Sequence, residues 1–291
     1  MTTLCRKLPF TVKPTKTNRS LCLAWDISSP PSEWEAWALV QSDEHFDSKL
    51  CDRDTLKEHH DEAVRRGAAI IKVGDTFDVM QGPGDRRACK SALRDEYAVA
   101  EYFDAVTNDA EDFYSPYAQN IVAIGEGNHE DAVKRHYGVN LIKRLAKDLR
   151  DAGGETRAMG YDFWVRFMFN RGTQRVSKDG YFFHGSGGGG PVTKDQIQAS
   201  RQFERIGQVD LICTGHTHDS WSDKQPREQL DHLGEPSIRL ARYLKIGNYK
   251  GRGSWEVTKG MPHKPIGAHW LRFFFKGGTV QMEIRETEPV A

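Results

Sequence analysis

The sequence predicts an α/β sandwich, in which two β-sheets pack face to face and helices cover them. Two patterns indicate this fold class: short apolar strands alternate with helices in the first half, and strands follow one another in the second half. The chain has 291 residues, of which 38% are hydrophobic and 28% are charged. That length and composition are typical of a globular protein that buries a substantial core.

The first half begins with an irregular segment and then alternates strands with helices. Residues 1–34 look irregular because proline and serine interrupt regular structure there. The first helix starts at Asp52 and stops at Gly67, and its His59 and His60 are expected to be solvated among charged neighbours. The predicted order is a strand at 34–40, a helix at 52–67, a strand at 68–75, a helical stretch at 87–119, a strand at 120–130 and one helix at 131–154.

The second half is dominated by strands. Its predicted helix starts at Thr193 and stops at Gly207. Gly277 and Gly278 are typical of the tight turn that joins the two strands of a hairpin. Strands are predicted at 161–169, 180–185, 209–218 and 237–249, and the hairpin at 269–286.

The cysteines and the hydropathy indicate where the protein resides. The five cysteines are scattered without a CxxC pair, which favours free thiols in a reducing compartment. No apolar run approaches the roughly 20 residues that span a bilayer, and the N-terminus lacks the pattern of a signal peptide. We therefore expect a cytoplasmic protein that does not associate with a membrane.

Charge is unevenly distributed, although the net charge is zero. Residues 101–131 hold eight acidic residues and no lysine or arginine, whereas residues 238–276 hold nine lysines or arginines and one acidic residue. Two interpretations stay open. The segments are either two solvated surfaces of opposite sign, or the basic one forms a wall that holds a phosphate-bearing substrate or a nucleic acid.

Five of the predicted strands end in polar side chains that can ligate metals. Because the carboxyl ends of strands in an α/β sheet meet at one crevice, we expect these side chains to converge. Asp43 with His45, and likewise His216 with His218, would project to one side if the backbone stays extended. The side chains at the five ends are Asp43 and His45, Asp75 and Asp78, Asn128 and His129, His184, and His216 and His218.

The predicted ligands outnumber what one tetrahedral metal ion needs. The seven candidates are Asp43, His45, Asp75, Asn128, His184, His216 and His218. Seven donors suffice for two metal ions that share a carboxylate, an arrangement suited to in-line attack at phosphorus. Mixed aspartate, asparagine and histidine donors suit Mn, Fe, Zn or Ni better than Ca or Mg. We expect two divalent ions, with Mn as the first candidate.

The ordered motifs DxH, GDxxD, GNHE, an isolated His before Gly, and GHTH resemble those of the calcineurin-like metallophosphoesterase superfamily over residues 43–218. The resemblance implies a four-layer α-β-β-α sandwich of two mixed sheets flanked by helices, with two metal ions at its top. It implies that Asp75 bridges the ions. The first ion would be held by Asp43, His45, Asp75 and His218, and the second by Asp75, Asn128, His184 and His216.

The resemblance also implies a catalytic pair. His129 would protonate the leaving oxygen, and Asp78 would orient His129. Physical chemistry agrees with these roles, because two divalent ions lower the pKa of a bridging water and so supply a hydroxide for in-line attack. An alkoxide leaving group needs a proton, which a histidine can donate near neutral pH.

The residues beside the motifs bear on the substrate. Protein serine/threonine phosphatases of this superfamily carry arginine directly after GDxxD and Ser-Arg soon after GNHE. Here Val79 and Asp131 follow those motifs. We therefore favour a phosphodiesterase or nuclease-like hydrolase acting on a nucleotide or nucleic acid, with a phosphomonoesterase as the alternative. A non-catalytic scaffold is a third hypothesis, against which the intact ligands and His129 count.

The motifs also suggest how the chain is divided. We expect an N-terminal extension at 1–34 and a single metallophosphoesterase domain at 35–291. A helical insertion at 79–119 would either cap the active site or form a dimer face, and residues 238–291 would form a basic, β-rich C-terminal part. The oligomeric state and the protein partners are left open by the sequence.

Overall fold

The computed structural model describes residues 7–80, 92–188, 190, 192–231 and 233–288. Its strands are β1 (Phe10–Pro14), β2 (Ser20–Asp26), β3 (Glu35–Gln41), β4 (Ala69–Lys72), β5 (Ile121–Ile124), β6 (Arg157–Ala158), β7 (Asp162–Arg171), β8 (Gln174–Phe183), β9 (Leu211–Thr214), β10 (Trp221–Leu230), β11 (Pro236–Lys245), β12 (His269–Lys276) and β13 (Thr279–Glu286). Its α-helices are α1 (Arg53–Arg66), α2 (Tyr102–Tyr114), α3 (Asn128–Tyr137), α4 (Leu141–Asp151), α5 (Gln196–Arg205) and α6 (Ser254–Thr258). Single 3₁₀ turns lie at Pro31–Glu33, Asp95–Tyr97 and Ser115–Tyr117.

The strands form two mixed sheets. In the described part of the chain, the larger sheet has seven strands in the order β1-β2-β7-β8-β9-β11-β10, and the smaller has six in the order β13-β12-β3-β4-β5-β6. The larger sheet combines parallel pairs such as β8 with β9 and antiparallel pairs such as β7 with β8. In the smaller sheet β3, β4 and β5 run parallel, and β12 is antiparallel to β3.

Three apolar clusters hold four layers together. The cluster between the sheets includes Trp25 and Phe167 of the larger sheet and Phe273 of the smaller one. A second cluster packs the smaller sheet against α1, α2, α3 and α4, and a third packs the larger sheet against Phe203 of α5. The layers are therefore helix, sheet, sheet and helix. The predicted four-layer α/β fold is confirmed.

The N-terminal segment is more regular than predicted. β1 and β2 form an antiparallel pair, and β2 also pairs in parallel with β7. The prediction of an irregular segment was wrong, because the segment contains two short strands. The prolines and serines around these strands are typical of loops and led to that prediction. Leu21 and Leu23 of β2 alternate with less buried neighbours, which is the pattern of a strand that lies on a core.

The helix predicted at 131–154 is two helices. α3 ends at Gly138, whose φ of 69° is left-handed, and α4 begins after Asn140, whose side chain accepts the backbone N–H of Lys143 at 2.8 Å. A left-handed glycine stops a helix, and an asparagine cap starts one. The apolar ladder at i and i+4 continues across this break, so periodicity alone did not reveal it.

Other predicted elements differ in smaller ways. β10 was not predicted because it is a polar edge strand that contains Pro226. Of the helical stretch predicted at 87–119, residues 87–91 lie outside the described residues, and α2 occupies Tyr102–Tyr114. The predicted hairpin is present as β12 and β13, with its turn at Gly277 and Gly278.

The predictions about membrane-spanning segments and free cysteines are compared with the structure for the described residues. No helix in that part of the chain combines the length and the apolarity needed to cross a bilayer. Cys22, Cys51 and Cys213 carry free thiols. Cys5 and Cys89 lie outside the described residues.

Candidate metal centre

The predicted ligands lie in five segments that follow strands of both sheets. Three segments follow β3, β4 and β5 of the smaller sheet, and two follow β8 and β9 of the larger sheet. In that order they carry Asp43 and His45, Asp75 and Asp78, Asn128 and His129, His184, and His216 and His218. Four of them are loops, and the segment after β5 includes the first two residues of α3. Because the two sheets pack together, side chains that are far apart in the sequence become neighbours.

The backbone at the ligands is left-handed, which corrects one prediction. Asp43, His45, Asp75, His216 and His218 have φ values of 54°, 49°, 49°, 78° and 58°. The prediction was that ligands two residues apart point to one side because the backbone is extended. That reason is wrong, because the backbone at these residues is left-handed. Tight left-handed turns aim them instead. Such conformations are costly for residues with a Cβ and persist where surrounding contacts fix them.

Hydrogen bonds between the loops fix these turns. The backbone N–H of Asp43 donates to Gly74 O at 3.0 Å, and that of His45 donates to Asp75 O at 3.1 Å. Between the two sheets, the backbone N–H of His216 donates to Asp43 Oδ2 at 2.8 Å. Each ligand loop is held by a neighbouring ligand loop, so the donor atoms are placed before any ion binds.

Asp43, His45 and His218 form the first group of donor atoms. One donor atom from each lies within 4.8 Å of the others. His218 Nε2 is 3.2 Å from His45 Nε2 and 3.4 Å from Asp43 Oδ1. Asp43 and His45 are buried, and His218 is half-buried. The structure thus brings together three of the four side chains predicted for the first ion.

Asp75, His184 and His216 form the second group, with donor atoms again within 4.8 Å of one another. His184 Nε2 is 3.2 Å from Asp75 Oδ2 and 3.1 Å from Asn128 Oδ1. The four side chains predicted for the second ion therefore lie together. Because Asp75 groups with this set, its role as a bridge to the first ion stays a prediction.

His45 also belongs to a third group, with Asp78 and His129. His45 Nδ1 is 2.8 Å from Asp78 Oδ1, whereas His129 Nδ1 is 3.9 Å from that oxygen. His129 Nδ1 instead contacts the backbone carbonyl oxygen of Asp78 at 2.5 Å. Metal-binding histidines commonly give their second ring nitrogen to a carboxylate. The Asp78 carboxylate therefore orients His45, and Asp78 contacts His129 through its carbonyl group.

The ionisation states of the buried groups depend on one another. Burial opposes the charge of Asp43 and Asp75, but the neighbouring His218 lowers the pKa of Asp43 and the charge of His184 lowers the pKa of Asp75. Burial also opposes the charged form of His184, but Asp75 raises the pKa of His184 to about 9. Burial lowers the pKa of His45 to about 4. The cluster thus pairs anionic carboxylates with a cationic imidazole.

The donor set fits divalent metal ions. In the described part of the chain, the ion-pair partners of Asp43 and Asp75 are histidines. Asp43 Oδ1 is buried, and its 3.4 Å contact with His218 is longer than a charge-assisted hydrogen bond. Metal ions displace protons from histidines, and mixed nitrogen and oxygen donors suit Mn, Fe, Zn or Ni. A bound metal cation would therefore pair with these buried aspartates and histidines better than protons do.

Two glycines let the backbone approach the ligands closely. A Cβ at Gly127 would lie 2.0 Å from Asp75 Oδ1, and a Cβ at Gly215 would lie 2.5 Å from Asp43 Oδ2. Both distances are shorter than those that side chains tolerate. The glycines of the GNHE and GHTH motifs are therefore required by packing against the carboxylates.

Glu130 and Lys250 are site residues outside the predicted catalytic and metal-binding set. Glu130 accepts the backbone N–H of Gly127 at 2.8 Å and that of Phe77 at 2.9 Å, and so joins two ligand loops. Lys250 Nζ lies 2.7 Å from Asp78 Oδ1. Glu130 could have been recognised from the sequence, because it is the last residue of the GNHE motif. Lys250 lies in the basic segment 238–276, but nothing in the sequence distinguishes it from the other lysines and arginines there.

A buried polar network lies directly behind the first ligand loop. Glu44, between the two ligands of that loop, pairs with Lys72 Nζ at 3.0 Å and accepts the hydroxyl of Tyr114. Gln41 Nε2 donates to Glu44 at 2.7 Å, and His60 contacts Gln41 at 3.0 Å. The prediction that His60 is solvated was wrong, because the network gives its ring a buried partner. His59, also predicted to be solvated, is buried as well.

Replacing Glu44 by alanine is expected to destabilise the protein by about 3–5 kcal/mol, because the buried Lys72 ammonium would lose its carboxylate partner. Urea unfolding followed by circular dichroism measures the change. Glu58→Ala, at an exposed position of α1, is the control and should change the free energy of unfolding by less than about 0.5 kcal/mol. A loss no larger than that of the control would show that Glu44 does not hold Lys72.

Comparison with known proteins gives weak likenesses. No protein-family model matches the chain, and no curated protein matches it. A metallophosphoesterase from Sphaerobacter thermophilus is 14% identical with a TM-score of 0.36, over 87% of this chain and 88% of that one. GAP50, described as the anchor in the inner membrane complex of Plasmodium, is 11% identical with a TM-score of 0.42, over 87% and 84%. Vacuolar protein sorting 29 from Cryptosporidium parvum is 12% identical with a TM-score of 0.33, over 88% and 100%. Likenesses of this size decide neither a family nor a function.

Proposed function

We propose that the protein is a metal-dependent phosphoesterase that uses two divalent ions. The observation that carries this proposal is the pair of adjacent donor groups, one around Asp43 and one around Asp75, with the imidazole of His129 beside them. Adjacent pairs of divalent ions are the arrangement that suits displacement at phosphorus. Mn is our first candidate for both positions, since the donors are mixed nitrogen and oxygen atoms.

The donors would divide between two ions. One ion would be held by Asp43, His45 and His218, and the other by Asn128, His184 and His216, with Asp75 shared between them. When bound, the ions would polarise the phosphoryl oxygens and lower the pKa of a water molecule, as two-metal sites do. The chain itself supplies the anionic charge that holds the cations, because Asp43 and Asp75 are buried and ionised.

His129 is placed to act as the general acid. A carbonyl oxygen can only accept a hydrogen bond, so the contact with Asp78 O fixes a ring proton on His129 Nδ1. His129 Nε2 lies 3.8 Å from Asp75 Oδ2 and therefore faces the donor groups. From this position a protonated Nε2 would give its proton to the leaving oxygen of an ester.

We further propose that the substrate is a phosphodiester of a nucleotide or a nucleic acid. The support is the basic segment 238–276, from which Lys250 reaches Asp78 at the site. Of the same segment, Arg239 pairs with Asp210, and Lys264 pairs with Asp219, which follows the ligand His218 in the sequence. Lys250 is also paired with a carboxylate, but because its partner Asp78 contacts both His45 and His129, we expect Lys250 to meet a substrate phosphate.

Hydrolysis of bis-p-nitrophenyl phosphate and p-nitrophenyl phosphate with added Mn tests the reaction type. We expect metal-dependent turnover that EDTA abolishes, with the diester cleaved faster than the monoester. Faster cleavage of the monoester would overturn the diester preference. Absence of turnover with both esters, in protein that holds two metal ions, would contradict the phosphoesterase proposal. A screen of linear and cyclic nucleotides, DNA and RNA would then identify the substrate class.

A further inference from the structure

The segment predicted as an insertion reaches the site through α2. Tyr102, the first residue of α2, donates its hydroxyl to Asp47 Oδ2 at 2.6 Å. The ring of Tyr102 packs against the rings of Tyr97 and Phe103, with centroids 6.4 and 5.3 Å away. Asp47 is buried in the loop that follows β3. The helix is therefore tied to a ligand loop by a hydroxyl group held in place by its neighbours.

Asp47 in turn holds the tight turn at Asp78 and Val79. Its Oδ1 accepts the backbone N–H of Asp78 at 2.6 Å, and its Oδ2 accepts that of Val79 at 2.9 Å. Val79 has a φ of 43°, a left-handed conformation that is costly for a β-branched residue. Strained backbone of this kind persists when surrounding contacts over-determine it. Asp47 supplies two of those contacts.

The same turn holds His129. The carbonyl oxygen of Asp78 accepts His129 Nδ1 at 2.5 Å, so a shift of the turn would rotate or release the imidazole. The Asp78 side chain of this turn lies 2.8 Å from one metal donor, His45 Nδ1, but the metal donors also have contacts outside the turn. His45 N donates to Asp75 O at 3.1 Å, and His184 Nε2 contacts Asn128 at 3.1 Å. The turn is thus linked to His129 through the backbone carbonyl group of Asp78, and to one metal donor, His45, through the Asp78 side chain.

We propose that Tyr102 is a positioning residue, through which α2 sets the orientation of His129. The proposal rests on the proposed function in one respect, because it takes His129 as the general acid. Without the Tyr102 hydroxyl, the buried Asp47 carboxylate keeps its backbone donors and loses a side-chain donor. Asp47 would then hold the turn less firmly, and His129 Nε2 would be aimed less well at the leaving oxygen.

Tyr102→Phe tests the proposal with two diesters that differ in their need for a proton. Bis-p-nitrophenyl phosphate releases a nitrophenolate, which needs little protonation, and a thymidine dinucleotide releases an alkoxide, which needs it. We expect kcat for the dinucleotide to fall about tenfold and kcat for the nitrophenyl ester to change less than about twofold. Mn affinity should fall by less than kcat for the dinucleotide does, because Asp78 contacts His45 alone among the donors of the two ion-holding groups, Asp43, His45 and His218, and Asp75, His184 and His216. Tyr117→Phe is the matched control, since the Tyr117 hydroxyl donates to Asp61 on α1 at 2.8 Å.

Two outcomes of these assays overturn the proposal. An equal loss with both esters, accompanied by weaker Mn binding, would show that Tyr102 supports the whole site rather than His129. Unchanged kcat for the dinucleotide would show that the hydroxyl does not act on His129.

A readout that does not need turnover separates this proposal from the proposed function. Nitrogen-15 NMR of EDTA-treated protein should show a hydrogen-bonded, slowly exchanging Nδ1–H of His129, assigned by its loss in His129→Gln. We expect faster exchange of this proton in Tyr102→Phe and no change in Tyr117→Phe. If neither ester is cleaved, the proposed function fails, and NMR still decides the link to Tyr102. Equal exchange in the two variants, or no such signal in the unsubstituted protein, would overturn the link.

Discussion

Replacing Asp75 by asparagine is expected to lower phosphodiester turnover by about a thousandfold or more, because two-metal stabilisation is worth several kcal/mol. At least one metal ion per chain should also be lost. Asp75 Oδ2 lies 3.2 Å from His184 Nε2, and the charge of His184 helps to keep this carboxyl ionised against the effect of burial. Asparagine removes the charge but keeps the shape, and its oxygen can still accept the backbone N–H of His129, which lies 3.0 Å from Asp75 Oδ1.

The comparison of metal content with turnover decides this prediction. Metal content is measured by mass spectrometry after dialysis against Mn, and turnover with bis-p-nitrophenyl phosphate. Asp61→Asn is the control, because Asp61 pairs with Lys57 on the surface of α1. Two ions retained by the Asp75 variant, together with full turnover, would contradict the assignment.

Replacing His129 by glutamine is expected to slow cleavage of a dinucleotide by about 10²–10⁴-fold, the contribution of a general acid. The rate with bis-p-nitrophenyl phosphate should change little, because nitrophenolate leaves without a proton. Glutamine can still donate a hydrogen bond to Asp78 O, so the turn that His129 contacts should keep its shape. Metal content should match that of the unsubstituted protein.

His136→Gln is the control for this variant, because His136 lies exposed on the same helix, α3. It should leave both rates unchanged. An equal loss with both esters in the His129 variant would assign His129 to the metal site rather than to protonation of the leaving group.

The order of the motifs was sufficient to predict the fold class and the meeting of the loops. Strand ends in an α/β sheet converge for topological reasons, so polar residues placed after β3, β4 and β5 were expected to meet. The reason given for the direction of the side chains was wrong. His216 and His218 have φ values of 78° and 58°, and hydrogen bonds from other loops impose such values. Those hydrogen bonds join loops that are far apart in the sequence, so a sequence pattern does not predict them.

The parts of the site that were not predicted from the sequence are contacts between segments that are distant in the sequence. Lys250 pairs with Asp78 across most of the chain, and Tyr102 reaches Asp47 from a helix that carries no motif. The Asp78 carboxylate points to His45 rather than to His129, although its place in GDxxD is the same in either case. Tertiary packing decides such choices between neighbouring partners, and single-sequence patterns do not.

The strands that went unpredicted have a different cause. β10 lies at an edge of its sheet with largely exposed side chains, so it lacks the apolar alternation that marks a half-buried strand. β1 and β2 are flanked by proline, serine and threonine, which are typical of loops. In both places pairing with a neighbouring strand outweighed the local signal.

An anomalous-scattering map of crystals grown with Mn would test the central claim most directly. We expect two peaks per chain, one between Asp43, His45 and His218, the other between Asn128, His184 and His216, with Asp75 touching both. One peak, or none in excess Mn, would show that these side chains do not form a two-ion centre.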